Sequence, residues 1–243
     1  MKQDIWPESS SCSIVIGQFT IDIGNARNGY FLTTCSSSNN KRKKIIVQKE
    51  NQKLQYDLST TDMFPLQFGS GLYNISFMEN TVAKKYQNLG TISIAVKLDR
   101  EDASFLLPNQ YVNYNKNTPA VLLANNLCAD ITDEAAVYKA IKMYVTKNFR
   151  YDYLKASTVK PGMLPDINTC FEKKSGICQD LSALVVCMLR SQGIAARFVI
   201  GYADKIYHAW VRTKIDGKKY LFDPTAAVCH KKVAAKYVEE RFY

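Results

Sequence analysis

Lys174-Ser-Gly-Ile-Cys-Gln-Asp-Leu-Ser-Ala-Leu-Val-Val-Cys-Met-Leu-Arg-Ser-Gln-Gly193 is the stretch around which the rest of the chain is organised. Leu181, Leu184, Val185, Met188 and Leu189 repeat at i, i+3, i+4, i+7 and i+8, the spacing of a core-facing helical stripe. Ser175-Gly176 breaks the chain in front of this stripe, and Gly193 stands where a left-handed cap would end it. Cys178 therefore falls in the first helical turn, where unpaired N–H groups and the helix dipole favour a thiolate. The thiolate is the nucleophilic form of cysteine, so the position suits covalent catalysis. Taken alone the signal is weak, because free cysteines are commonly small buried hydrophobes.

The segments that follow supply partners. Ile194-Ala-Ala-Arg-Phe-Val-Ile-Gly-Tyr202 is a short apolar run typical of a strand. Tyr207-His-Ala-Trp-Val-Arg-Thr-Lys-Ile215 and Lys218-Lys-Tyr-Leu-Phe-Asp223 flank Asp216-Gly217, a strong two-residue hairpin signal. That loop pairs 215 with 218 and sets 223 opposite 210, two residues from 208. Side chains two apart share a face of the sheet, and diagonal neighbours about 7–8 Å apart are within reach of long polar groups. His208 and Asp223 are thus expected on one face, the carboxylate holding the imidazole, and Pro224 ends the strand. Of the two histidines, His230 lies beside Cys229 in a Lys-rich segment with no carboxylate to orient it, so His208 is the better base. Cys178, His208 and Asp223 then have the logic of a nucleophile, a base and an orienting acid.

Gly176-Ile-Cys-Gln-Asp180, Tyr207-His-Ala-Trp-Val211 and Phe222-Asp-Pro-Thr225 together resemble the three blocks of the transglutaminase-like superfamily. The resemblance covers roughly the last third of the chain. It implies a papain-like α+β core with Cys178 as nucleophile, His208 as base and Asp223 as acid. The turn between Tyr202 and Tyr207 and the hairpin look short beside many relatives.

Length and composition are those of a globular protein large enough for one big domain or two modest ones, with 243 residues, 47% hydrophobic and 22% charged. The net charge of +10 is spread along the chain, and its only dense run is Lys41-Arg-Lys-Lys44. This run adjoins a Ser/Asn loop at residues 36–40 and reads as a solvated hairpin rim rather than a nucleic-acid site. Anionic polymers and acidic protein surfaces are also compatible with the charge. The seven cysteines, an odd number, leave at least one free, and none has the Cys/His spacing of a structural zinc site. No metal or organic cofactor is expected. No apolar run approaches a membrane span, and Met1-Lys-Gln-Asp-Ile-Trp6 lacks the apolar core of a signal peptide. An extracellular or cell-envelope location is the expectation, with the cytoplasm left open.

Residues 11 to about 100 carry six or seven short strand-like runs separated by Asn, Gly and Ser, the pattern of a small antiparallel sandwich. They lack histidine and paired carboxylates, which points to packing or targeting, and they look like the β-module preceding the catalytic domain in some bacterial relatives. A connector begins near Phe105, so the expected organisation is an N-terminal β-sandwich over 1–104 and a transglutaminase-like catalytic domain over 105–243. Helices follow Asn117-Thr-Pro-Ala120. One spans 132–149, with a cap candidate at its start and Val137, Ala140, Ile141, Tyr144 and Val145 as its buried stripe. The loop after Arg150-Tyr-Asp-Tyr153 is expected to wall the cleft, with Tyr151 or Tyr153 lining it.

Around the three candidates, Asp180 is read as a cap or loop anchor, Gln179 as a cleft residue and Trp210 as either a shield for His208 or core. Cys187 is read as core, and Cys170 as more exposed. The backbone N–H of Cys178 is the default oxyanion donor, with the second left open. The expected function is acyl transfer on a protein or peptide amide through a Cys178 thioester, ending on water or on an amine. A catalytically silent binding or scaffold module is the alternative, and an intact Cys/His/Asp set argues against it.

Overall fold

The computed structural model describes residues 6–37, 39–58 and 62–243. The leader reading at Met1–Ile5 and Ser38 of the Ser/Asn loop lie outside them. Residues 6–110 form one compact unit and 111–243 a second.

In the first unit, β1 (Ser13–Ile16), β2 (Phe19–Asp22), β3 (Tyr30–Cys35) and β6 (Met63–Pro65) form one antiparallel sheet in that order. A second antiparallel sheet has the order β5 (Gln52–Asp57), β4 (Lys43–Lys49), β7 (Gly71–Asn80), β8 (Tyr86–Val96). Period-two burial along β7 sends Tyr73, Ile75 and Phe77 inward. Phe77 stacks on Phe19 of the opposite sheet at 4.5 Å between ring centroids, so the two sheets close as a sandwich. Phe105, Leu106 and Leu107 stay with this unit, and Leu107 clusters with Tyr30 and Met63. That apolar run moves the division from the expected residue 104 to 110.

The basic run joins β3 to β4, which lie in different sheets, so it is a crossover and not a hairpin rim. It is also largely paired. Buried Glu79 takes Lys41 and Lys43, Arg42 meets Asp57, and Lys44 lies over the Tyr86 ring. β6 escapes a sequence reading because three residues ending in proline carry no alternation.

The second unit begins with α1 (Pro119–Leu127) and α2 (Glu134–Asn148). Asp133 caps α2 by accepting from Ala136 N at 2.7 Å. β9 (Arg150–Tyr151), α3 (Tyr153–Thr158), α4 (Ile167–Lys173) and β10 (Ser175–Gly176) follow, β9 and β10 pairing in parallel. α5 (Cys178–Ser191) comes next, and its Leu181, Leu184, Val185, Met188 and Leu189 are wholly removed from solvent. Each contributes about 1.5–3 kcal/mol of transfer free energy, and truncating one such leucine to alanine costs about 2–5 kcal/mol. Gly193, at φ 77°, turns the chain out of the helix.

Against α5 lies an antiparallel sheet of order β13 (Lys218–Phe222), β12 (Ile206–Ile215), β11 (Ala196–Ala203), β14 (Tyr237–Phe242). α6 (Pro224–Val228) follows β13 in the chain. Asp216 and Gly217 both have positive φ, as a type I′ turn requires, and Ile215 pairs with Lys218. Ser182 of α5 donates its hydroxyl to the Ala209 carbonyl at 3.0 Å, tying helix to sheet. Gly201 faces His208 across β11 and β12, and any Cβ there would collide with the Val238 carbonyl of β14.

Candidate active site

Cys178 is the first residue of α5, at the helix end whose N–H groups are free to face an anion. Its approach is fixed by Asp180, which is fully buried. The Asp180 carboxylate accepts from Ile177 N and Asp166 N, each at 3.0 Å, and pairs with Lys155 Nζ at 2.7 Å. One carboxylate thus binds the turn before the nucleophile, the loop at 166 and α3. Asp180 is an anchor, in line with its cap-like position in the sequence.

His208 projects from β12 into both cavities that Cys178 lines, and Cys178 is among the groups that act on its imidazole. Its Nε2 lies 2.9 Å from Asp223 Oδ2. Burial disfavours the imidazolium, yet the bond to Asp223 and the nearby Cys178 outweigh it and raise the His208 pKa to about 9. Burial likewise pushes the Asp223 carboxyl up, but His208, the Ala226 N–H and the Tyr237 hydroxyl hold it below the usual carboxylate range.

Asp223 is placed by two elements at once. It follows the last paired residue of β13, Phe222 opposite Val211, so it lands one step on, across from Trp210. It is also the N-cap of α6, where Oδ1 accepts from Ala226 N at 3.0 Å. Oδ2 receives the Tyr237 hydroxyl at 2.8 Å as well as His208. Burial lifts the Tyr237 phenol to about 12, and the neighbouring Asp223 adds to the rise, so it donates at neutral pH. Tyr237 escaped the sequence reading, because β14 is an edge strand of mostly exposed, charged residues with no apolar alternation.

Other candidates fall where packing sends them. Trp210 is fully buried with its ring edge-on to Tyr237 at 5.0 Å, so it is core and no cleft wall. Cys187 is buried inside α5. Cys170, expected to be exposed, is buried on the inner side of α4 beside Gly176, where an added Cβ would come within 2.8 Å of its sulfur. Gln179 donates Nε2 to the Met163 carbonyl at 3.2 Å, on the cleft side of α5.

Two cavities open on either side of Cys178, of ≈ 380 and ≈ 570 Å³. Both are lined by Tyr151, Cys178, Tyr207 and His208, so the sulfur stands at their junction. Tyr153 and Cys229 line the first, their Oη and Sγ 3.9 Å apart. The second runs under the loop through Pro161 and Met163. Burial pushes the Tyr151 phenol up to about 12, with Cys178 and Cys229 adding to the effect, so it too is a donor at neutral pH. Among the described residues no cluster of three or more His, Cys, Asp or Glu could hold a metal ion. Among them no helix is long and apolar enough to cross a membrane.

Residues 122–224 match the family model of the transglutaminase-like superfamily core, a span that takes in Cys178, His208 and Asp223. Over that segment the chain is similar to a transglutaminase-like core. Solved structures are similar at low identity. A protein from Cytophaga hutchinsonii described as a candidate cysteine protease is 17% identical, over 89% of this chain and 74% of its own, with a TM-score of 0.46. The periplasmic domain of TgpA from Pseudomonas aeruginosa is 14% identical, over 89% of this chain and 96% of its own, at a TM-score of 0.42. Red sea bream transglutaminase is 13% identical, over 88% of this chain and 49% of its own, at a TM-score of 0.33. No curated protein matches the chain. Cysteine proteases and acyltransferases are common in that superfamily.

Proposed function

We propose that residues 111–243 catalyse acyl transfer from a protein or peptide amide through a thioester on Cys178. The observation that supports this most is the imidazole of His208, bonded to Asp223 and lining the same two cavities as Cys178. His208, protonated at neutral pH by its raised pKa, holds the proton that the Cys178–His208 pair shares, and Asp223 stabilises this imidazolium. The thiolate adds to the amide carbon, and the developing oxyanion meets the backbone N–H of Cys178 and the phenol of Tyr151. His208 then protonates the departing amine as the C–N bond breaks, leaving the acyl group on sulfur. A second nucleophile adds to the thioester, its proton passes to His208, and the C–S bond breaks to restore the thiolate.

The test is alkylation of Cys178 by iodoacetamide from about pH 5 to 9, located by peptide mass spectrometry, in wild type and His208→Ala. Faster reaction in the wild type on the acid side, lost in the variant, supports the reading. Equal profiles, or no reaction in the folded protein, exclude an activated Cys178.

A further inference from the structure

The two cavities beside Cys178 share one electrostatic character. Lys231 and Lys232 line the first, and Lys160 and Arg241 line the second. Among the described residues none of the four is paired with a carboxylate side chain. Arg241 meets phenols here, donating to the Tyr207 hydroxyl at 2.5 Å and interacting with Tyr243. The lining carboxylates are both engaged. Asp223 is held by His208, Tyr237 and Ala226 N. Asp204 accepts from Lys236 N at 2.9 Å and Ala235 N at 3.4 Å. The second cavity has no acidic lining residue. Elsewhere the chain pairs its dense charge, as the Lys41-Arg-Lys-Lys44 run does with Glu79 and Asp57. Cations therefore outnumber the carboxylates that lack a cationic partner on both flanks of the sulfur, Lys231 and Lys232 against Asp204 on one, Lys160 and Arg241 against none on the other.

Such a cleft discriminates between ligands of opposite charge. We propose that it takes an acidic peptide, with carboxylates on both sides of the attacked amide, and disfavours protonated amines as acceptors. This rests on the acyl-transfer reading above and narrows it. An amine must enter past Lys231 and Lys232 or past Lys160 and Arg241, and a lysine ε-amine is an ammonium at neutral pH. Water has no such barrier. The thioester therefore resolves by hydrolysis: a water oxygen adds to the acyl carbon, His208 takes its proton, and the C–S bond breaks.

Binding is measured first, in Cys178→Ala, so that it does not depend on turnover. Titration calorimetry compares acetyl-Glu-Glu-Gln-Gly-Glu-Glu-amide with its counterpart carrying Lys at each Glu. The acidic peptide should bind roughly tenfold or more tightly at low salt, with the gap closing as salt rises. Lys160→Gln, Lys231→Gln and Lys232→Gln combined should remove most of that gap without a change in melting, since all three side chains are exposed. Equal affinity for the two peptides overturns the proposal, as does equally tight binding of dextran sulfate, which would make any polyanion sufficient. In the wild type, neutral hydroxylamine should intercept the thioester while the dication cadaverine does not. Interception by both alike overturns the acceptor part. Selective binding in the variant with no hydroxamate in the wild type keeps the charge selection and removes the acyl-transfer reading.

Discussion

Tyr237 donates its hydroxyl at 2.8 Å to Oδ2 of Asp223, the same oxygen that lies 2.9 Å from His208 Nε2. The phenol thus competes for and steadies the lone pairs that orient the imidazole. Tyr237→Phe removes a bond to a charged group, worth about 1.5–3 kcal/mol. We expect turnover of an acidic peptide to fall about tenfold and the acid limb of its pH profile to move upward, because Asp223 loses a partner of its ionised form. An unchanged acid limb would reduce Tyr237 to packing against Trp210.

Asp223 combines a cap and an orienting acid, and two substitutions separate them. Asp223→Asn keeps an oxygen for Ala226 N but removes the charge, and should cost roughly 10³-fold or more in turnover. Asp223→Ala also uncaps α6, adding about 1 kcal/mol of instability by denaturant titration. Equal stability of the two variants would argue that the cap contributes nothing.

The two histidines allow His208 to be followed directly by NMR, with exposed His230 as a control. Its titration should centre near pH 9 and fall in Cys178→Ala, which removes one of the groups that raise it. The folded pKa lies above the unfolded value of about 6.5, so the associated stability is complete below that pH and is lost as pH rises through about 9. The loss should be on the order of 3 kcal/mol by urea unfolding at pH values on either side of this range, and should vanish in His208→Gln. A wild type that unfolds identically across it would contradict the geometry.

Removing the Asp180 charge leaves Lys155 partly buried without its ion pair and deprives two backbone N–H groups of an acceptor. Asp180→Asn should destabilise by about 3–5 kcal/mol, and a double-mutant cycle with Lys155→Met should recover part of this. Limited proteolysis within residues 153–166 should accelerate in the single variant. Additive effects would mean that the pair is not coupled.

The parts of the site legible in the sequence are those set by local geometry. Asp216-Gly217 imposes a two-residue turn, and from it the register alone carries Asp223 to His208. The breaker before Cys178 and the cap at Gly193 likewise bound a helix that can be read by periodicity. Tyr237 and the burial of Cys170 depend on contacts between distant segments that no local period encodes. The charge run at Lys41 misleads in the same way, because its neutralising partners, Glu79 and Asp57, are supplied by other strands. Division of the chain shifted from 104 to 110 because three apolar residues after the last strand fill the first core instead of starting the second.

Gly201 has no reactive atom, yet it sits across from His208 where β14 comes too close for a side chain, with Val238 and Trp210 in the way. In a saturation library scored for activity, this silent position should group with Cys178 and His208, admitting no other residue. The exposed lysines of the cleft should instead tolerate exchange, at a cost that depends on the substrate offered. A map of mutational tolerance would thus contain two kinds of intolerant position, one defined by what its atoms do and one by the room it leaves for β14.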